Sequence, residues 1–356
     1  MNFSELISIC AFLILLATIL LFDLGVLSKT HQEPSYKESL FRTAIWFFLA
    51  LLFTVFLWFN GSIFHGINTT GEINTFLSRI GEKNIQNGTY SGKAPLVVFN
   101  HNLAISFLNG YFVEYSLSMD NILVIILIFS GFKVERKYYH KVLFWGILGA
   151  VVMRATFIFV GTTLIQHFHW ILYVFGAFLV FSGGSMFLNR KKEESLDSET
   201  HPVVQTLSKL FPIEKQFQGD RFFIRKNSKL YLTPLLVVLL VIEFTDLIFA
   251  VDSIPAVFSI TRDPYIVFFS NIFAIMGLRS LFFLMEKMVD RFHFLKTGLS
   301  ILLIIIGVKM IFPGFFEKIG FNNWSSLALI LFILGGSILL SLWVTQKRDS
   351  ENTIHE

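Results

Sequence analysis

Glu243-Phe-Thr-Asp246-Leu-Ile-Phe-Ala-Val-Asp252-Ser253-Ile-Pro255 sits inside an apolar run from about 231 to 259. Glu114-Tyr-Ser-Leu-Ser-Met-Asp120-Asn121 sits inside another. About 20 apolar residues in helical form cross a bilayer. A carboxylate within such a stretch is costly and is kept for a partner or a function. Two such segments, each opening a group of three spans, point to a cation site at a repeat interface.

The rest of the chain agrees with a membrane setting. Of 356 residues, 54% are hydrophobic and only 15% are charged, which excludes an ordinary soluble domain. Nine stretches are long enough to cross, near 3–22, 41–60, 104–130, 142–163, 169–189, 231–259, 265–285, 295–312 and 324–345. The expected fold is an all-α polytopic membrane protein of about nine transmembrane helices. Residues 1–22 lack a basic start and a small-residue cleavage site, so they read as a span rather than a cleaved signal. Cys10 is the sole cysteine, so no disulfide forms within the chain and no thiolate cluster exists for zinc.

Basic residues gather in alternate loops. One side holds Lys29, Lys37 and Arg42, then Lys133, Arg136, Lys137 and Lys141, the run from Arg190 to Lys229, Lys287, Arg291 and Lys296, and Lys347 and Arg348. The other holds Arg79, Lys83, Lys93, Arg262 and Lys318. The positive-inside rule puts the N-terminus outside and the C-terminus in the cytoplasm. The net charge of +4 therefore reads as a topology signal, not as nucleic-acid binding.

Six regions follow. Residues 1–60 form a two-span hairpin, 61–103 an extracytoplasmic loop, and 104–189 a first three-helix unit. Residues 190–230 form a basic cytoplasmic linker suited to anionic lipid or a protein partner. Residues 231–312 form a second three-helix unit, and 313–356 the last span and tail. Aligning Asp120 with Asp252 sets Glu114 on Asp246 and Asn121 on Ser253. Arg154 then matches Arg279 in the next span, and Gly183 matches Gly307 in the third. An odd number of helices per unit makes the second copy enter from the opposite face, giving two inverted three-helix repeats.

On straight helices Glu114 and Asp120 would point about 240° apart, and Glu243 and Asp252 about 180° apart. A helix break would let them converge. Pro255, which has no N–H for the Val251 carbonyl, is the expected place for one. Carboxylate, amide and carbonyl oxygens suit hard divalent ions such as manganese, calcium and magnesium. The candidate ligands are Glu114, Asp120, Asn121, Glu243, Asp246 and Asp252, supported by Ser253, Arg154, Arg279 and Lys309. Met119 could add a soft donor. Five acids against Arg154, Arg279 and Lys309 leave two negative charges, enough for one divalent ion or two protons. His101, His167 and His169 read as interfacial histidines first and as ligands second.

The chain resembles the TerC family of integral membrane proteins. The matching residues are 114–121, Asp246-Leu-Ile-Phe-Ala-Val-Asp-Ser-Ile-Pro-Ala256, Asp23-Leu24 with His31, Leu295-Lys-Thr-Gly-Leu-Ser300 and Gly307-Val-Lys-Met310. The resemblance implies a bacterial inner-membrane protein, grouped with lysine-exporter-like transporters and linked to tellurium resistance. It also implies manganese export that helps load secreted metalloproteins, with the motif acids as the metal path. Met119, Ser185 and a long 61–100 segment depart from the family pattern, but no motif acid is missing. No nucleotide-binding Gly-rich loop is present. The expectation is therefore a non-enzymatic secondary transporter with Mn²⁺ as cargo, no permanent cofactor and protons as the coupling ion. The rival expectation is a membrane scaffold for stress-response or secretion complexes, docking through the 190–230 linker.

Overall fold

The computed structural model describes Phe12, Ile14, Thr18 and residues 35–81, 94–168, 170–189, 202–214, 216–226, 229–288 and 294–354, with side chains to 346. The protein is a polytopic all-helical membrane protein. Helix α1 spans Tyr36–Asn60 and continues as a 3-10 turn, Gly61–His65. A short helix, α2 (Thr70–Ile80), follows, and then α3 (Pro95–Gly131), α4 (Tyr139–His167) and α5 (Ile171–Asn189). Helix α6 (Pro202–Leu210) and strands β1 (Phe223–Lys226) and β2 (Lys229–Leu232) lie between α5 and α7 (Pro234–Phe258). The chain closes with α8 (Pro264–Met276), α9 (Leu278–Glu286), α10 (Leu295–Ile311), α11 (Pro313–Lys318) and α12 (Asn323–Ile354).

Among the described residues, six helical stretches are long and apolar enough to cross a membrane: Tyr36–His65, Pro95–Gly131, Arg136–His167, Ile171–Asn189, Pro234–Phe258 and Asn323–Gln346. The pair α8–α9, bent by 44°, makes a seventh if it acts as one span. The stretch expected at 295–312 forms α10, whose 17 residues are short for a crossing. The first expected span falls almost wholly outside the described residues.

Local signals set the helix ends. Ser35 caps α1 by accepting the Glu38 N–H, and Thr69 with Glu72 forms a reciprocal capping box on α2. Pro95, Pro234 and Pro264 begin α3, α7 and α8, where their missing N–H costs nothing. The third span thus starts at Pro95, inside the segment expected as loop up to 103. The linker is also more ordered than its composition suggests. Strands β1 and β2 pair antiparallel, and Lys141 of α4 donates to the Asp220 side chain at 3.1 Å. Tyr138 stacks on Phe217 with ring centroids 5.8 Å apart.

Helix α3 is the hub. It packs against α1, α7, α8, α9 and α12. Helix α4 packs on α7 and α8, and the most extensive helix contact joins α5 to α10. Phenylalanines fill the space between α1, α3 and α8, where Phe53, Phe107 and Phe273 meet with centroids 4.8 to 5.4 Å apart. Small residues let α5 and α10 approach closely. A Cβ on Gly307 would stand 2.6 Å from the Gly176 carbonyl oxygen, and one on Gly183 would stand 2.8 Å from that of Ser300. Both obstacles are backbone. Gly307→Ala should therefore cost about 1–3 kcal/mol. Gly335, with nothing within 4 Å of an added Cβ, tolerates alanine. Thermal melts of the two variants in detergent check the contrast.

Candidate ion site

The acids lie on helices whose register the apolar runs dictate, and they are held by cross-helix partners. Arg154 of α4 and Glu114 of α3 are both fully buried and form an ion pair. Asp246 of α7 accepts from the same guanidinium at 3.2 Å, and Asn271 of α8 accepts at 3.3 Å. One cation thus gathers an acid from α3 and another from α7. Burying three charges is costly, and it is tolerated only where each has partners.

The remaining residues spread along the same helices. Asp120 and Asn121 are buried on α3, and Asn121 and Asp246 line one cavity of about 40 Å³. That is room for a water-sized occupant. Asp252 accepts from Ser182 of α5 at 3.0 Å, and the neighbouring Ser253 is buried. The Glu243 carboxylate lies against the backbone of α4, where a Cβ on Gly149 would come within 2.0 Å of it. Glu114 Oε2, Asp246 Oδ2, Asp252 Oδ1 and Ser253 Oγ are buried without a hydrogen-bond partner. All four are oxygen atoms of the kind hard cations prefer.

Other residues stand apart. Arg279 donates to His140 Nδ1 at 3.0 Å. Lys309 donates to Ser326 Oγ at 3.1 Å. His101 stacks on Trp58, while His167 hydrogen-bonds the Thr163 carbonyl oxygen within its own helix. His169 lies outside the described residues. Among the described residues, no three His, Cys, Asp or Glu side chains converge as a ready-made metal cage.

The expected helix break is corrected by the structure. Helix α7 runs unbroken through Pro255, and α3 runs unbroken through Asp120-Asn121. Pro255 lies in the last turn of α7, so little helix remains beyond it to bend. No break brings the acids together: α3 is wrapped by neighbours, so side chains on its different faces are buried against protein, and Glu114 and Asp246 meet through Arg154. The bend lies at Gly277, just before Arg279. Asn271, Ser182 and Gly149 escaped the sequence reading. Only Asn271 carried a signal, as an amide in an otherwise apolar run.

The sequence profile described as "Integral membrane protein TerC family" matches residues 99–349. The chain belongs to the TerC family. An uncharacterized membrane protein, STKORF319, of Myxococcus xanthus is 37% identical over 331 residues, covering 93% of this chain and 90% of its own. The "putative membrane-bound redox modulator Alx" of Photorhabdus laumondii is 35% identical over 344 residues, covering 96% of each chain. The protein of the same name from Salmonella typhi is 44% identical over 248 residues, covering 70% of this chain and 76% of its own. No solved structure matches the chain.

Removing one member of a buried ion pair leaves its partner charged and unpaired, at a cost of about 3–5 kcal/mol. Arg154→Met should lower the melting temperature sharply for this TerC protein. Adding Glu114→Gln and Asp246→Asn should recover much of the loss, since no charge is then stranded. Melting curves of the single and triple variants check this.

Proposed function

We propose that the chain is a secondary transporter that carries divalent metal ions, Mn²⁺ foremost, out of the cytoplasm. The path runs between two inverted three-helix units in the bacterial inner membrane, with the N-terminus outside. The observation that carries this reading is the gathering of Glu114 and Asp246, one from each unit, around a single buried cation. The unpartnered oxygens of Glu114, Asp246, Asp252 and Ser253 support it, because they are hard donors with unmet hydrogen-bonding capacity.

The packing supports the inverted repeat. With Gly183 matched to Gly307, the approach of Gly176 to Gly307 has as its mate the approach of Ser300 to Gly183, and both occur. Likewise α3 meets α8 as α7 meets α4. Counting α10 and the α8–α9 pair as crossings gives eight among the described residues, and the span expected at 3–22 lies almost wholly outside them. Asp120 and Asp252 are the central ligands. Glu243 lines the path or carries protons, while Asn121 and Ser253 add neutral oxygens. Arg154 occupies the acids between cargo-binding events. Arg279, bonded to His140 away from the acids, has no part in holding them in this reading.

Moving two charges outward against an inside-negative potential costs about 4.6 kcal/mol per 100 mV. Inward proton movement through the same carboxylates supplies that drive. The relatives named as redox modulators raise thiol chemistry. A chain whose one thiol is Cys10 has no dithiol to cycle, so an effect on redox state would run through metal supply.

Mn²⁺ flux into proteoliposomes under an imposed pH gradient tests the reading. Wild-type protein should transport, and Asp120→Asn and Asp252→Asn should each abolish transport while inserting normally. Flux indifferent to the gradient removes proton coupling; no flux from correctly inserted wild type removes the transporter. A second reading, a membrane scaffold, is favoured by the ordered β1–β2 hairpin, which exposes Arg225, Lys226 and Lys229. Neutralising these three to glutamine should leave flux intact. In a scaffold it would abolish function instead.

A further inference from the structure

A cavity of about 490 Å³ lies apart from the motif acids. It opens among the end of α2, the turn after α7 and the segment Pro313–Asn323, on the membrane face that carries α2. Arg262 ties that face together by donating to the Gly81 carbonyl oxygen at 2.8 Å. Polar groups from several elements line the space: Lys309, Arg262, Thr261, Ser259, Tyr173 and Asn323.

Lys309 gives the cavity its character. It sits on an apolar helix and is half-buried. Its ammonium carries three N–H donors. One goes to Ser326 Oγ at 3.1 Å, and the Phe321 ring centroid lies 5.6 Å away. Neither contact is charged. Glu317 lines the same cavity. A half-buried ammonium whose contacts are a hydroxyl and a ring favours an anion that reaches it from elsewhere. Among the described lining residues Lys309 and Arg262 outnumber Glu317. The hydroxyls and amide around it are oxyanion hydrogen-bond donors, and Phe258, Phe316 and Met310 give an apolar wall.

We propose that this cavity binds an anionic oxygen group, a phosphate or carboxylate, on a molecule of headgroup size, with Lys309 as its main counter-charge and Arg262 at the rim. The site is independent of the metal path, and it separates Lys309 from the residues expected to support that path. A phospholipid headgroup and a free phosphate share this chemistry.

Full-length protein in detergent, stripped of lipid, is melted against inorganic phosphate and against citrate, with sodium chloride at matched ionic strength as control. The same protein is melted in phosphatidylcholine nanodiscs with and without phosphatidylglycerol. Wild type should gain several degrees over the salt control. Lys309→Gln should shift half-saturation at least tenfold, and Lys309→Arg should keep the response. A response to phosphate or citrate in detergent assigns a soluble oxyanion; a response to phosphatidylglycerol alone assigns a lipid headgroup. Absence of any anion-specific gain in wild type overturns the proposal, as does a Lys309→Gln response equal to wild type. Should Lys309→Gln not fold, Ser259→Phe fills the cavity instead. An unchanged response in that variant is equally fatal.

Discussion

The burial of Arg154 between Glu114 and Asp246 is the constraint around which the rest is arranged. Three charges leave water together, and each loses hydration that only the others can replace. The arrangement exists only when α3, α4 and α7 are in register, and Asn271 extends the requirement to α8. A helix that supplies one acid of this group cannot sit at the edge. The central place of α3, packed against α1, α7, α8, α9 and α12, follows from that need as much as from its apolar surface.

Between apolar helices in lipid, association rests on close packing rather than on expulsion of water. Glycine therefore appears where backbones must touch. Gly176, Gly183 and Gly307 seat α5 against α10. Gly149 has a different task, because the group it admits is the Glu243 carboxylate. Removing a side chain from α4 makes room there for a polar group that a larger residue would push away. Packing and electrostatics are thus solved at the same positions.

Much of this was legible in the sequence. Apolar runs marked the spans, and the acids stood out because they violate those runs. Pro95 and Thr69 set helix starts, yet both fall in 61–103, which read as a loop. Pairings were not legible, since Arg154 reaches partners 40 positions before it and 92 after it, and nothing local distinguishes it from Arg279. Pro255 misled for a physical reason: a proline in the last turn of a helix has little helix beyond it to redirect. The bend fell at Gly277, whose neighbours in sequence gave no comparable warning. Order in the linker was also hidden, because Lys141 and Tyr138, both outside it, hold Asp220 and Phe217.

The guanidinium also bears on how transport would be controlled. A divalent ion and Arg154 cannot share Glu114 and Asp246 at contact distance. At about 4 Å and an effective dielectric near 20, a unit charge facing a double charge is repelled by about 8 kcal/mol. Under the proposed function, binding of cargo and release of arginine would be one event. The arginine would return when the ion leaves, so that the acids would not be left uncompensated in the low-dielectric interior. A site that supplies its own counter-ion needs no preformed cage of three acids.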